Sequence, residues 1–177
     1  MGLAVPWNAG WSSEERFEVR PCRYVSGKLA LWQPFAPGIG LPIFAKPHCV
    51  RQRKSIAEMR CTVCGEKTAE ADRWWFGLGE FNSDWWVTSE APVHRTCADH
   101  ALSICPHLKR LGRNPERMPG GYRVMAARIG GDQVEKDFGV RIGQREVYGA
   151  LKLAWRKAPN VNGILGAMPM TTTPRTP

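Results

Sequence analysis

Cys61 and Cys64 stand two residues apart in the segment RCTVCGEK, and His94 and Cys97 close the segment VHRTC after a gap of 29 residues. A Cys-x-x-Cys turn lets both sulfurs reach one metal ion at about 2.3 Å, and Gly65, directly after the second cysteine, permits the tight backbone that follows. Residues three apart on the first turn of a helix share a face, so His94 and Cys97 can complete a tetrahedron. Three thiolates and one imidazole leave no open position and no water to activate, which points to a single structural Zn2+ ion. Its contribution to folding is on the order of 10 kcal/mol, as large as the net stability of many small domains. A redox role for the Cys-x-x-Cys pair needs a thioredoxin-like strand-to-helix context, which this knuckle followed by glycine lacks.

The remaining thiols and imidazoles, Cys22, His48, Cys49, His100, Cys105 and His107, show no second set of paired ligand spacings. They read as buried thiols and surface histidines, with His100 ranking below His94 as a ligand. No catalytic residue is assigned, because the sequence carries no Ser-His-Asp signature and no phosphate-binding glycine loop. A nuclease of the His-metal-finger type would need a histidine base between the two ligand pairs, and the stretch from Gly65 to Val93 has none.

The elements that must bring the two pairs together follow from periodicity and turn residues. FEVRPCRYVSGKLALW alternates on both sides of Ser26-Gly27, predicting a hairpin with Phe17, Val19, Tyr24, Leu29 and Leu31 as strand residues and with Pro21 at an edge. QPFAPGIGLPIFAKP reads as a connecting loop, and Pro47 to Met59 as a short helix burying Val50, Ile56 and Met59 and delivering the chain to Cys61. RWWFGL and DWWVTS predict a second, aromatic hairpin. A helix capped by Thr88 or Ser89 then runs to about Ile104, stopping where Cys105 precedes Pro106. Beyond a basic linker, GYRVMAARI and EKDFGVRI read as strands joined around Gly130-Gly131-Asp132, and REVYGALKLAWRKA as a helix through Val147, Leu151 and Trp155.

The 177 residues suit one domain with extensions, and the net charge of +9 is unevenly placed. Residues 1 to 60 carry nine basic and four acidic groups, residues 61 to 110 five and seven, and residues 111 to 177 eleven and five. An anionic partner would therefore meet the segments flanking the metal module, through Arg51, Arg53, Lys54, Lys109, Arg110 and Arg113, together with Arg73 beside the tryptophan pairs Trp74-Trp75 and Trp85-Trp86. Those tryptophans could stack on bases, although adjacent strand residues face opposite ways and one of each pair is core material. No apolar run approaches the roughly 20 residues of a membrane span. The expected location is the cytoplasm, where six cysteines read as ligands and buried thiols.

The stretch from the basic helix into RCTVCG, through the aromatic hairpin, to SEAPVHRTCADHALSICPHL resembles a group of uncharacterised small proteins of actinobacteria and their phages, over residues 47 to 108. Within it, the order of knuckle, hairpin and helix resembles a treble-clef zinc finger over residues 61 to 105. The resemblance implies the same four ligands and a phage or prophage setting, with no established activity. The expected fold is α+β: a β-rich extension (1 to 46), a zinc-stapled treble-clef-like core (47 to 110), a hairpin plus C-terminal helix packed on it (111 to 158) and a disordered tail (159 to 177). The expected function is that of a non-enzymatic zinc-stabilised binding protein contacting nucleic acid. A protein adaptor acting on a host or phage protein is the alternative, ahead of a His-metal-finger nuclease, and no small-molecule substrate or membrane is indicated.

Overall fold

The computed structural model describes residues 5–159, so the tail expected from residue 159 onward lies, past Pro159, outside them. The described chain is a mixed α+β structure with three β-sheets and four α-helices. A two-stranded antiparallel sheet of β1 (Ala9–Trp11) and β4 (Pro42–Pro47) brackets the first hairpin, β2 (Glu18–Pro21) and β3 (Leu29–Trp32). That hairpin pairs from Glu18 opposite Trp32 to Pro21 opposite Leu29, and Pro21 ends an edge strand, as its missing N–H requires. Tyr24 lies in a 3-10 turn between the strands instead of in a strand. The segment read as a loop before residue 47 contains β4.

The strand that organises the largest sheet is the one read in the sequence as a C-terminal helix. Glu146–Trp155 forms β10, and its buried residues include Val147, Gly149, Leu151, Leu153 and Trp155. The spacing of Val147, Leu151 and Trp155 fits a helix, but a step of four is also two strand periods, and the buried Gly149 and Leu153 between them decide for a strand. One edge of β10 pairs along its length with β9 (Arg123–Gly130), from Glu146 opposite Gly130 to Ala154 opposite Arg123. Its other edge is shared: β3 runs parallel to it at Tyr148, and β7 (Trp85–Thr88) antiparallel at Leu153 to Trp155. Strands from the N-terminal, central and C-terminal thirds of the chain thus join in one sheet.

The converse exchange occurs just before β10. EKDFGVRI, read as a strand, is divided between α4 (Gly131–Phe138) and the loop after it. Val134 is fully buried beside Leu31 and Val147, with Phe138 one turn on in the same cluster. Gly131 is obligatory at the start of α4, since a Cβ there would lie 1.7 Å from the Gly143 carbonyl oxygen. The aromatic hairpin is also rearranged: β6 (Glu80–Asn82) pairs with β7 across Ser83-Asp84, whereas β5 (Trp74–Trp75) pairs with β8 (Glu116–Arg117). Trp75, Trp86 and Trp155 then meet with ring centroids 5.3 to 6.0 Å apart in the main core, an arrangement that favours edge-on and tilted aromatic contacts.

The helix α1 (Cys49–Glu58) lies against β10 and β3 and is held mainly by polar contacts. Ile56 is buried as expected and Val50 and Met59 are half-buried, yet Arg51, Gln52, Arg53 and Ser55 are buried too. Arg51 donates to both carboxylate oxygens of buried Glu14 at 3.0 and 2.5 Å and to the Ala9 carbonyl at 2.6 Å. Gln52 donates to the Leu151 carbonyl at 2.7 Å and accepts from the Leu151 N–H at 3.1 Å, while Arg53 donates to the carbonyls of Gly149 and Leu31. His48 caps the helix by accepting from the Arg51 N–H at 3.3 Å, and its other ring nitrogen lies 2.8 Å from the Pro34 carbonyl oxygen. Arg51 and Arg53, read as surface cations, and His48, read as a surface histidine, are interior groups. Glu14→Gln leaves the Arg51 guanidinium buried without a counter-charge and lowers the unfolding free energy by about 3 kcal/mol or more. Glu14→Gln combined with Arg51→Met loses less than the single substitution; urea unfolding of the three proteins measures this, and equal losses contradict a paired charge.

Candidate metal centre

The two ligand pairs are positioned by the chain segments that flank them. In the knuckle, the Cys61 N–H donates to Glu66 O at 2.8 Å, the Gly65 N–H donates to Cys61 O at 2.9 Å, and Arg60 bridges Lys67. Gly65 has φ +82°, and a Cβ there would lie 2.7 Å from the Trp7 ring, which packs on the knuckle from the N-terminal segment. That segment is fixed by Trp7 N–H to Val63 O at 2.8 Å and Asn8 N–H to Thr62 O at 3.1 Å. On the other side, Trp74 and Val93 exchange two backbone hydrogen bonds, 2.9 and 2.8 Å, immediately before His94. His94 is the N-cap of α2 (Arg95–Ile104), and its ring does not cap the helix, which leaves it free to face the cysteines. Asp72 caps instead, accepting from the Arg95 N–H at 3.0 Å. Cys97, in the first turn of α2, points to the same place.

The Sγ atoms of Cys61, Cys64 and Cys97 and a ring nitrogen of His94 all lie within 4.8 Å of one another. His94 Nδ1 is 3.4 Å from Cys64 Sγ and 3.9 Å from Cys97 Sγ. Bond lengths of about 2.3 Å to sulfur and about 2.0 Å to nitrogen place the ligand atoms of a tetrahedral ion roughly 3.5 to 3.8 Å apart, so the residues fit one ion. His94 Nε2 lies 3.2 Å from the Lys67 carbonyl oxygen, a partner for its N–H that leaves Nδ1 with its lone pair toward the thiols. Cys61 is fully buried and Cys97 nearly so. Burial, and then the neighbouring thiols, push the Cys97 thiol up to about 12, and burial raises Cys64 in the same direction. Clustered thiols that resist ionisation in the absence of a cation are a donor set made compatible by one.

The knuckle is also tied to α1. Glu58, the last residue of α1, accepts from the Tyr24 hydroxyl at 2.5 Å and from Arg60 Nε at 2.7 Å, and Arg60 donates to the Gly65 carbonyl at 2.9 Å. The Tyr24 hydrogen bond and then Arg60 hold the Glu58 carboxyl down at about 2. Sequence reading missed Tyr24, Trp7 and Asp72 because each is far along the chain from what it contacts, and missed Glu58 and Arg60, although they stand beside Cys61, because a charged pair two residues apart carries no spacing signature.

The other proposed contact residues do not form one surface. Arg51 and Arg53 are interior, as described, and Arg73 and Arg113 are half-buried and donate to Tyr122 Oη at 3.2 Å and the Gly77 carbonyl at 2.7 Å. Lys54 is half-buried, while Lys109 and Arg110 are exposed on the last turn of α3 (Pro106–Leu111). Of the tryptophans, Trp75 and Trp86 are buried, and Trp74 and Trp85 are half-buried under guanidinium groups, Arg95 and Arg117 on Trp74 at 4.6 and 5.5 Å and Arg123 on Trp85 at 5.4 Å.

No protein family, curated protein or solved structure matches the chain. Fold and site together define an α+β protein with a Cys3His cluster able to hold a metal ion, and no helix among the described residues is long and apolar enough to cross a membrane.

Cys61→Ser or His94→Ala lowers the bound metal of the purified protein from about one ion per chain to near zero and abolishes cooperative unfolding of the knuckle and α2; elemental analysis and hydrogen exchange measure both. For Glu58 the folded carboxyl lies below its unfolded value, so its contribution is present above about pH 4.5 and disappears as the pH falls through about 2. The stability difference between wild type and Glu58→Gln therefore shrinks between pH 6 and pH 2.5 in denaturant titrations, and a difference independent of pH contradicts the clasp.

Proposed function

We propose that this chain is a non-enzymatic, zinc-stabilised binding protein that contacts nucleic acid, its knuckle and α2 forming a treble-clef-like module. The observation that carries the first half is the composition of the ligand set: three sulfurs and one imidazole nitrogen converge within 4.8 Å, so the protein supplies all four positions of a tetrahedral ion. Soft thiolates in that geometry favour zinc over magnesium, calcium or manganese, and a filled coordination sphere holds no water for hydrolysis. The net charge of +9 supports an anionic partner. Lys109 and Arg110 stand exposed at the end of the helix that follows the module.

A second reading, a protein adaptor, is favoured by the apolar side chains of Phe35, Ile39, Leu41 and Phe44, which are 61 to 75 % exposed within ten residues of chain. The two readings separate in one titration. Fluorescence anisotropy with single- and double-stranded 20-mers at 20 and 200 mM salt is expected to give binding that weakens at least tenfold at the higher salt, and further in Lys109→Glu/Arg110→Glu. Absence of binding at 20 mM salt removes the nucleic-acid reading.

A further inference from the structure

A cleft of about 440 Å3 opens between the first hairpin and α1, away from the metal centre, within the size range of small-molecule sites. Five of its lining residues are cations, Arg20, Arg23, Arg51, Arg53 and Lys54, and none is acidic. The carboxylates that balance three of these lie outside the lining: Glu14 pairs with Arg51, Glu18 with Arg20 and Glu58 with Arg23. Arg53 is different. It is 1 % exposed, and among the described residues its guanidinium meets only the carbonyl oxygens of Gly149 and Leu31 and the thiol of Cys49, with no carboxylate. The Nε atoms of both Arg51 and Arg53 are buried without a hydrogen-bond partner. Buried guanidinium charge with unmet donors is costly and is relieved by an anion seated beside it.

The same cleft presents aromatic faces. Trp32 is half-buried with the Arg20 guanidinium 3.7 Å above its ring, Phe35 is 61 % exposed, and Tyr24 lies on the opposite hairpin turn. Flat π-surfaces in a cleft whose charged lining is entirely cationic match a ligand that is planar at one end and anionic at the other. A bare oxyanion would use the cations and leave Trp32 and Phe35 unengaged.

We propose that this cleft binds one nucleotide unit, the base against Trp32 and Phe35 and the phosphate toward Arg53 and Lys54. The ligand is either a free mononucleotide or one residue of a single strand. The inference rests on the nucleic-acid reading for its ligand class and adds the place where that ligand sits. It is tested on the full zinc-loaded chain by calorimetric titration with adenosine monophosphate, a ten-residue oligothymidylate, adenosine and inorganic phosphate, repeated on Trp32→Ala and Lys54→Glu with their thermal unfolding checked against wild type. The expected result is saturable binding of at least one phosphate-bearing nucleotide ligand, with adenosine and inorganic phosphate weaker by at least tenfold. Each variant should lose roughly tenfold in affinity while unfolding as wild type does. Oligonucleotide binding that both variants retain overturns the cleft assignment and leaves the nucleic-acid reading standing. Mononucleotide binding lost in the variants, with no oligonucleotide binding, supports the cleft and overturns that reading. Inorganic phosphate binding as tightly as the nucleotides, or no binding of either nucleotide ligand, overturns the inference.

Discussion

Buried thiols held close together oppose one another's ionisation unless positive charge sits among them, and this constraint governs the centre of the molecule. Cys61, Cys64 and Cys97 share one small volume with the imidazole of His94, and burial and mutual repulsion drive the Cys97 thiol up to about 12. A divalent cation turns that repulsion into four attractions. The surrounding backbone is arranged to keep the thiols there: Gly65 takes a positive φ beneath the Trp7 ring, and the bridge of Val93 to Trp74 delivers His94. The knuckle and α2 share a small cluster of six buried residues, two of them cysteines of the Cys3His set, so an ion bound there would join the two segments at the centre of that cluster.

A second buried electrostatic system is centred on α1. The α1 helix docks on β10 and β3 through arginine, glutamine and histidine side chains that bond to strand carbonyls and to Glu14. Such contacts are directional, so they fix the register of α1 against the sheet as well as its position. The Glu58–Arg60 clasp then transmits that register to the knuckle. Arg53, left without a carboxylate, connects this structural system to the open cleft beside it.

The convergence of Cys61, Cys64, His94 and Cys97 was legible in the sequence because coordination chemistry restricts both residue type and spacing. Two correctly spaced pairs are a strong signal at any distance along the chain, and the structure brings those four residues together. The first hairpin was legible for a similar reason, since Ser26-Gly27 and the alternation beside it are local. The interior role of Arg51 and Arg53 was hidden, because arginine belongs on surfaces unless a distant partner such as Glu14 or the Gly149 carbonyl receives it. The strand β10 was misread because residues four apart satisfy both periods. The pairing of β5 with β8 was invisible because two-residue strands about forty positions apart carry no local pattern.

Zinc held by protein atoms at every coordination position has a direct spectroscopic signature. X-ray absorption at the zinc edge of the protein purified without added metal tests it most directly. The expected result is one zinc ion per chain with three sulfur neighbours at about 2.3 Å and one nitrogen at about 2.0 Å. A protein that carries no zinc, or a zinc ion with oxygen neighbours in place of sulfur, contradicts it.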